Sequence, residues 1–245
     1  MRLRVLTMNV QNDEGDPRRA GLLNAELRRL DPDLVTFQEV CYPDRRDHLS
    51  ELTTGTGLRH TTHQAGVLEH RLPEADRYGG TAVATRWPHR VVEVAEHRAD
   101  RPADVHWWTL AVTVDLPDAG ELLLITPTTP WQPGAGTARE RQAAGIIDLA
   151  ARHRTALPTI IAGDLNADPL AASVRRLTAH YRDAWAVAGE GPGHTWFEGG
   201  PRRIDYVFAG PGAAILSARL VADRPVDGVR LSDHAGVLAD LHLGA

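Results

Sequence analysis

Residues Ile160-Ile161-Ala162-Gly163-Asp164-Leu165-Asn166-Ala167-Asp168 join a short apolar run to a polar one. The apolar run shows no polar alternation, which is typical of a strand buried on both faces. Asp164 and Asn166 lie two positions apart, so both side chains can point the same way from an extended segment. By itself the stretch favours an ordinary strand–turn–helix junction, because turn chemistry alone selects Asp and Asn. Its meaning therefore depends on the rest of the chain.

A helix is predicted directly after this stretch. Asp168-Pro169 has the composition of an N-cap followed by a first helical residue. Leu170, Val174 and Leu177 then place apolar side chains at helical spacing. The polar residues after the strand would thus occupy the short loop that leads into this helix.

The rest of the chain predicts more strands than helices. Apolar runs predict strands at 3–8, 34–37, 58–63, 81–85, 91–95, 108–115, 121–126, 203–208, 214–221 and 235–241. Helices are predicted from Asp16-Pro17 to Leu30, over 43–52, and after Thr137, which forms a capping box with Glu140. Because several strands are joined as hairpins, we expect an α/β (α+β) fold with two packed sheets and outer helices, not a doubly wound parallel sheet.

Length and composition predict one soluble globular domain over 1–245. A chain of 245 residues with 42% apolar and 24% charged residues can bury a large single core. No apolar run approaches the ~20 residues needed to span a bilayer. The N-terminus enters a strand pattern without a signal peptide, so we expect a cytoplasmic protein.

The residue types exclude several chemistries. The single cysteine, Cys41, rules out internal disulfides and a CxxC-type zinc site. All 27 basic residues are arginine, which is typical of a GC-rich genome. Without lysine there is no Walker A phosphate loop and no Schiff base. A net charge of −5 disfavours a broad nucleic-acid footprint.

Polar residues follow four separate predicted strands. They are Asn9, Gln38-Glu39, Asp164 with Asn166, and the C-terminal pair Arg203-Ile204-Asp205-Tyr206 and Ser232-Asp233-His234. Each alone has an ordinary explanation, since Glu after a strand is usually a solvated cap and Ser-Asp-His is usually a turn. Because polar residues follow four strands at the same kind of position, we expect them to form a common site.

These residues resemble the endonuclease/exonuclease/phosphatase superfamily of metal-dependent phosphoesterases. The matching motifs, in the family's order, are Thr7-Met8-Asn9-Val10, Phe37-Gln38-Glu39, Tyr78-Gly79-Gly80, Gly163-Asp164-Leu165-Asn166, Arg203-Ile204-Asp205-Tyr206-Val207-Phe208 and Ser232-Asp233-His234. Any one motif is weak, but the ordered set covers nearly the whole chain. The resemblance implies a four-layer α/β sandwich, with two mixed sheets flanked by helices, as one catalytic domain.

The resemblance also implies residue roles. Glu39 would be the principal ligand of Mg²⁺ (or Mn²⁺), with Asp233 and Asn9 completing the pocket, a donor set that suits this hard cation. Asp164 would position or deprotonate the attacking water, and Asn166 would donate to the phosphate. His234, oriented by Asp205, would donate to a phosphate oxygen. Tyr78 would line the phosphate pocket.

One position departs from the family pattern. Family members usually carry a His or Tyr at the end of the strand before the capped helix, and Thr128 is the nearest equivalent here, with Pro127 as the alternative alignment. The surrounding loop at 127–136 carries Trp131, a candidate substrate contact, and Arg203 is a second candidate. Loops at 64–77 and 96–107 supply further arginines.

The expected activity is Mg²⁺-dependent hydrolysis of a phosphodiester or phosphomonoester by metal-assisted attack of water. We expect a phosphate-containing substrate, either a small molecule or a short nucleic acid, no membrane insertion and a monomeric enzyme. Two alternatives stay open because of Thr128. One is metal-dependent non-hydrolytic chemistry on a small metabolite, and the other is a non-catalytic member that binds a phosphorylated ligand.

Overall fold

The computed structural model describes residues 1–68, 80–97 and 107–244. The strands in these ranges are β1 (Arg2–Asn9), β2 (Leu34–Gln38), β3 (His60–His63), β4 (Thr81–Thr85), β5 (His89–His97), β6 (Trp107–Leu116), β7 (Gly120–Pro127), β8 (Ile160–Asp164), β9 (Arg182–Asp183), β10 (Asp205–Ala209), β11 (Ala213–Val221) and β12 (Gly236–Leu243). The α-helices are α1 (Arg19–Leu30), α2 (His48–Thr53), α3 (Gly136–Arg152), α4 (Ala172–Thr178) and α5 (Ala184–Ala188).

The strands form two mixed six-stranded sheets. One has the order β11-β12-β1-β2-β4-β3 and the other β5-β6-β7-β8-β10-β9. Within each sheet only one pair is parallel, β1 with β2 and β7 with β8. Side chains of both sheets share one central core, while α1 packs on the outer face of the first sheet and α3 and α4 on that of the second. The predicted four-layer α/β sandwich is confirmed.

Strand β8 lacks polar alternation because both of its faces are covered. Ile160 and Ala162 belong to the core between the sheets, whereas Ile161 packs under the helices α3 and α4. Burying one such isoleucine contributes about 1.5–3 kcal/mol. The strand's neighbours β7 and β10 close its two edges, so every residue from Ile160 to Asp164 is buried.

The strand directions bring the predicted polar residues to one rim of the sandwich. The parallel pairs β1–β2 and β7–β8 end at this rim, with Asn9 opposite Gln38 and Thr128 opposite Asp164. Strand β10 runs antiparallel to β8 and begins at the same rim, where Asp205 pairs with Asp164. Strand β12 is antiparallel to β1, so the segment before it reaches this rim as well.

Two predicted helix starts are wrong. Helix α3 follows Ala135 without a side-chain cap, so Thr137 and Glu140 lie inside the helix and form no capping box. Helix α4 begins at Ala172, and Leu170 is 86% exposed. The Asp168 carboxylate pairs with Arg202 at 2.9 Å, so it does not cap the helix.

The helix predicted over 43–52 is also shorter than expected. It begins at His48, after Asp47, whose side chain accepts a hydrogen bond from the Ser50 N–H. Among the described residues, no helix has both the length and the apolar content required to cross a membrane.

The contact between β7 and β8 gives a stability prediction at Gly163. A Cβ atom at this position would lie 2.2 Å from the Pro127 carbonyl oxygen, a backbone atom that cannot move aside alone. We expect Gly163→Ala to lower the free energy of unfolding by about 1–3 kcal/mol, the usual cost of overpacking. Chemical denaturation measures this change.

Gly21 is the matched control. It lies in α1, and a Cβ atom added there would meet no atom within 4 Å, so Gly21→Ala should stabilise by about 0.5–1 kcal/mol. A Gly163→Ala protein as stable as the wild type would contradict the close approach of the two strands.

Candidate active site

His234 and Asp205 form a hydrogen-bonded pair that joins the two sheets. The distance from His234 Nδ1 to Asp205 Oδ2 is 2.8 Å, and both side chains are buried. This confirms the predicted contact between residues far apart in sequence. The Thr195 hydroxyl accepts hydrogen bonds from the backbone N–H groups of Ile204 and Asp205, and its carbonyl accepts one from Ala235. Thr195 therefore fixes both partners of the pair from a third segment.

The carboxylates around His234 favour its protonated form. Burial lowers the pKa of His234, but the negative charge of Asp205 and the hydrogen bond to it outweigh burial and raise this pKa to about 10. Asp164 and Asp233 act in the same direction. The ring is thus an imidazolium at neutral pH, with Nδ1 directed at Asp205 and Nε2 left as a second donor.

Asp164 is the last residue of β8, and its carboxylate accepts hydrogen bonds from several amide groups. Its Oδ1 accepts a hydrogen bond from the Asn166 backbone N–H at 2.8 Å. Its Oδ2 accepts from the side-chain amides of Asn166 at 3.1 Å and Asn9 at 3.2 Å. Burial, followed by the charge of Asp205, raises the pKa of Asp164 to about 8. Ligand atoms of Asp164, Asp205 and His234 all lie within 4.8 Å of one another, a group that could hold a metal ion.

Glu39 follows β2 and is held by amides as well. Asn9 Nδ2 donates to its Oε1 at 3.1 Å, and Asn12 Nδ2 donates to its Oε2 at 3.4 Å. The Asn9 amide lies between Glu39 and Asp164 and so links a carboxylate of each sheet. Burial raises the pKa of Glu39, while the hydrogen bond from Asn9 opposes the shift. Within the described ranges, no arginine forms an ion pair with this carboxylate.

The backbone of the site is strained at four positions. Gln11, Asn12, Glu39 and Asn166 have φ values of 52°, 35°, 55° and 44°, in the left-handed region that non-glycine residues rarely adopt. Such conformations persist only where the surroundings fix them, and they cluster at functional sites. Here the Asn12 N–H donates to the Glu39 carbonyl at 2.8 Å, which couples two of the strained residues.

Asp233 lies beside this group and is partly exposed. Its backbone N–H donates to Gln11 Oε1 at 3.1 Å. The adjacent Ser232 hydroxyl lies 2.8 Å from the Asn9 carbonyl and accepts a hydrogen bond from the His234 N–H. Gln11, Asn12 and Thr195 had not been assigned to the site from sequence, although Gln11 and Asn12 lie in the polar run after β1. Ser232 belonged to the Ser232-Asp233-His234 motif but had been given no role.

The charge balance of the site fits a divalent cation. Four carboxyl groups, those of Glu39, Asp164, Asp205 and Asp233, lie around one cationic side chain, His234. Burial raises the pKa of Glu39 and of Asp164, and a bound divalent cation would favour the charged form of both groups. Asp205 Oδ1 is buried and has no hydrogen-bond partner among the described residues. Carboxylate and amide oxygens are the ligands that Mg²⁺ prefers. The donor chemistry therefore suits a hard divalent ion.

Thr128 contacts the site through its backbone. It bridges to Asp164, but its hydroxyl lies 2.9 Å from the Thr81 hydroxyl in the interior between the sheets. The next carbonyl, of Thr129, accepts a hydrogen bond from Asn166 Nδ2 at 2.9 Å. Trp131 follows on the same loop and is 60% exposed, so its ring is available at the rim.

Arg203, the second candidate substrate contact, does not join this group. Arg203 Nη1 donates to Asp183 Oδ2 at 2.6 Å in a buried ion pair, and its guanidinium lies over the Tyr206 ring. The structure thus gives Arg203 interior partners. Tyr78 and the loop arginines Arg71, Arg77, Arg98 and Arg101 lie outside the described residues.

The His234–Asp205 pair predicts how stability depends on pH. The pKa of His234 in the folded state, about 10, exceeds its unfolded value of about 6.5. The pair's contribution is therefore fully present below about pH 6.5 and is lost as pH rises through about 10. With chelator present, we expect the melting temperature to fall between pH 7 and pH 10, and to fall less in His234→Gln.

His242 provides the control for this measurement. It is exposed on β12, and His242→Gln should keep the wild-type pH profile. If His234→Gln showed the same fall as the wild type, the pair would not be the source of the effect.

The chain is similar to known proteins over nearly its whole length. The model of the Endonuclease/Exonuclease/phosphatase family matches residues 6–234. An endonuclease/exonuclease/phosphatase from Beutenbergia cavernae DSM 12333 is 25% identical with a TM-score of 0.73, covering 100% of this chain and 72% of that one. A Bacteroides vulgatus member is 19% identical with a TM-score of 0.75, covering 100% of both chains.

A further structural match is D. rerio TDP2 complexed with a single-strand DNA product. It is 19% identical with a TM-score of 0.74, covering 98% of this chain and 99% of that one. Comparison with curated proteins gives no significant match. The family model spans the residues from β1 to His234, and the chain therefore belongs to the endonuclease/exonuclease/phosphatase family.

Proposed function

We propose that this chain is a hydrolase of phosphate esters that works with one Mg²⁺ or Mn²⁺ ion bound at Glu39. The observation that carries the proposal is the Asn9 amide, which joins the Glu39 carboxylate to Asp164 beside the His234–Asp205 pair. The candidate cation ligand Glu39, the candidate base Asp164 and the cationic donor His234 thus lie close together at one rim. Members of the family are generally phosphoesterases or nucleases.

Glu39 is a better first ligand than the Asp205–His234 pair. The pair is already bonded together at 2.8 Å, and a metal on those atoms would displace that bond. Among the residues that the structure describes, Glu39 instead accepts two side-chain amide hydrogen bonds, at 3.1 and 3.4 Å, which leaves lone pairs for an ion. Asp233 supplies the neighbouring carboxylate. Asn9 directs its Nδ2 at Glu39, while its Oδ1 accepts a hydrogen bond from the Gln11 N–H at 3.0 Å, so Asn9 would have to turn its amide to become an oxygen ligand. When bound, the ion would supply positive charge to the substrate phosphate.

Asp164 is the candidate group for holding the attacking water. Its amide donors fix the carboxylate in one orientation. A general base works best when its pKa lies near the working pH, and burial moves the pKa of Asp164 in that direction. Asn166 uses its side-chain amide on Thr129 and on Asp164 itself. We therefore assign Asn166 a positioning role, and contact with the phosphate would require it to exchange one of these bonds.

His234 is the candidate donor to the phosphate. Asp205 occupies Nδ1, so the imidazolium can offer the Nε2 proton to a non-bridging oxygen. Phosphoryl transfer depends mainly on positioning and on positive charge around the equatorial oxygens. A preorganised charged donor in a buried site supplies that charge without reorganisation.

The substrate we propose is a small phosphorylated molecule or a short nucleic acid. The exposed Trp131 stands on the loop next to Asn166. On another side, Trp196 bridges to His234 through the backbone, and the next residue, Phe197, lies under the Arg230 guanidinium at 5.1 Å. Aromatic rings and arginine are suited to stacking on bases. We further propose that the enzyme is monomeric and cytoplasmic. The free, buried thiol of the single cysteine, Cys41, supports the cytoplasmic location, because disulfides are rare in reducing compartments.

The first functional prediction concerns the metal. We expect Mn²⁺ to bind the wild-type protein and Glu39→Gln to bind it at least 10-fold more weakly, because the amide removes the anionic ligand. Phosphoesterase activity, screened over short nucleic acids, phospholipids, inositol phosphates and nucleotides, should vanish with chelator and return with Mg²⁺.

Glu121 is the control for this substitution. It lies at the start of β7, at the opposite end of the strand from Thr128, and forms an exposed ion pair with Arg90 of β5. Glu121→Gln should therefore leave metal binding unchanged. Activity that persists both with chelator and in Glu39→Gln would contradict the proposed dependence on a metal ion.

The second functional prediction concerns catalysis by His234. We expect His234→Ala to lower kcat by about 10²–10⁴-fold, the range for a lost acid–base group. KM should change much less, because the donor's contact strengthens in the transition state. Steady-state kinetics on the substrate found in the screen separate the two parameters. A loss confined to KM would instead indicate that His234 only binds substrate.

A further inference from the structure

Arg19 is a buried arginine without an ion-pair partner among the described residues. It stands at the start of α1 and is 5% exposed. Its guanidinium donates only to backbone carbonyls: Nε to Leu231 at 2.8 Å, Nη2 to Val10, and Nη1 to Glu14 and, at 3.5 Å, to Gln11. Arginine is rarely buried without a partner charge, so this arrangement needs a reason.

The four carbonyls belong to two loops that enter the candidate active site. Val10, Gln11 and Glu14 lie on the loop after β1, which we call the 10–14 loop. Leu231 precedes Ser232-Asp233-His234, and we call this stretch the 231–234 segment. Arg19 therefore ties together two segments that are separated by more than 200 residues in the chain.

Both loops touch the proposed metal ligands. From the 10–14 loop, Asn12 Nδ2 donates to Glu39 at 3.4 Å and Gln11 Oε1 accepts the Asp233 N–H at 3.1 Å. The Gln11 and Asn12 backbones are in the left-handed region, a conformation that needs external restraint. A planar guanidinium with several fixed donors can restrain several carbonyls at once, whereas a lysine ammonium cannot match that geometry.

We propose that Arg19 is a positioning residue for the candidate active site. It holds the 10–14 loop against the 231–234 segment and thereby sets the placement of Asn12 on Glu39 and of Asp233. The inference rests on the proposed metal site, but it concerns a residue that touches neither metal nor substrate. Loss of Arg19 should loosen both segments and weaken metal binding through them.

Arg19→Lys and Arg19→Met test this role, with Arg29→Met as the matched control. Arg29 is on the same helix, is exposed and pairs with Glu26. Hydrogen–deuterium exchange of the metal-free proteins should show faster exchange in peptides covering 10–14 and 231–235 for both Arg19 variants. The control should exchange like the wild type. Two variants are used because lysine keeps the charge and loses the fork of donors, whereas methionine removes both.

The second readout is Mn²⁺ affinity, measured below the melting temperature of each variant. Outer-shell groups that orient ligands typically account for about 10- to 100-fold in affinity, and we expect a weakening in this range for both Arg19 variants. In an Asn12→Ala background the effect of Arg19→Lys should shrink, because residues acting through one contact are not additive.

The outcomes separate this inference from the proposed function. If hydrogen–deuterium exchange in the two segments is unchanged, the role of Arg19 is overturned at any Mn²⁺ affinity. Faster exchange with unchanged Mn²⁺ affinity overturns it too, because the loops would then not control the site. If the wild type itself binds no Mn²⁺, the proposed function fails, while the exchange data still decide whether Arg19 holds the two segments.

Discussion

The structure depends on burying ionisable groups where two apolar sheets meet. Isolated charges in such a place are costly, and buried charges in proteins are therefore paired or hydrogen-bonded. Here His234 from one sheet is bonded to Asp205 of the other, and Asn9 of the first sheet donates to Asp164 of the second. These two cross-sheet contacts fix the relative placement of the strand ends. The same rim holds the Glu39 and Asp164 carboxyl groups, whose pKa burial raises, and a bound cation would favour their charged forms.

Behind this rim, hydrogen bonds between neutral polar side chains join the two sheets. Gln38 lies 3.2 Å from the Thr7 hydroxyl and 3.2 Å from the Thr126 hydroxyl, and so spans both sheets. The hydroxyl groups of Thr81 and Thr128 form a second contact between the sheets, with 2.9 Å between their oxygen atoms. Buried hydrogen bonds of this kind specify register, because a slip would leave donors and acceptors unpaired. The contact with Thr81 also explains why the Thr128 hydroxyl does not point towards the site, because it is hydrogen-bonded in the interior between the sheets.

Two of the errors in the sequence prediction share one cause, which is a partner distant in the chain that redirects a polar side chain. Asp168 looks like a helix cap but pairs with Arg202, so α4 starts later. Arg203 looks like a substrate contact because it adjoins the Arg-Ile-Asp-Tyr motif, yet it pairs with Asp183 in the interior. Local spacing describes what a side chain could do, and it does not include competition from groups elsewhere in the chain. Strand positions and the order of elements were predicted well because they depend on local apolar pattern and on turn residues.

The sequence by itself determined the two-sheet architecture, the buried character of β8 and the placement of polar residues at strand ends. These follow from apolar periodicity, and the ordered motifs then indicated the family. Only the tertiary structure decided which of those polar residues meet. The roles of Asn12, Thr195 and Arg19 come from contacts with partners distant in the chain, such as the carbonyl of Leu231 for Arg19. Strand direction can bring ends to a common rim, but the geometry of a buried charged site is set by hydrogen bonds that form only after both sheets have packed.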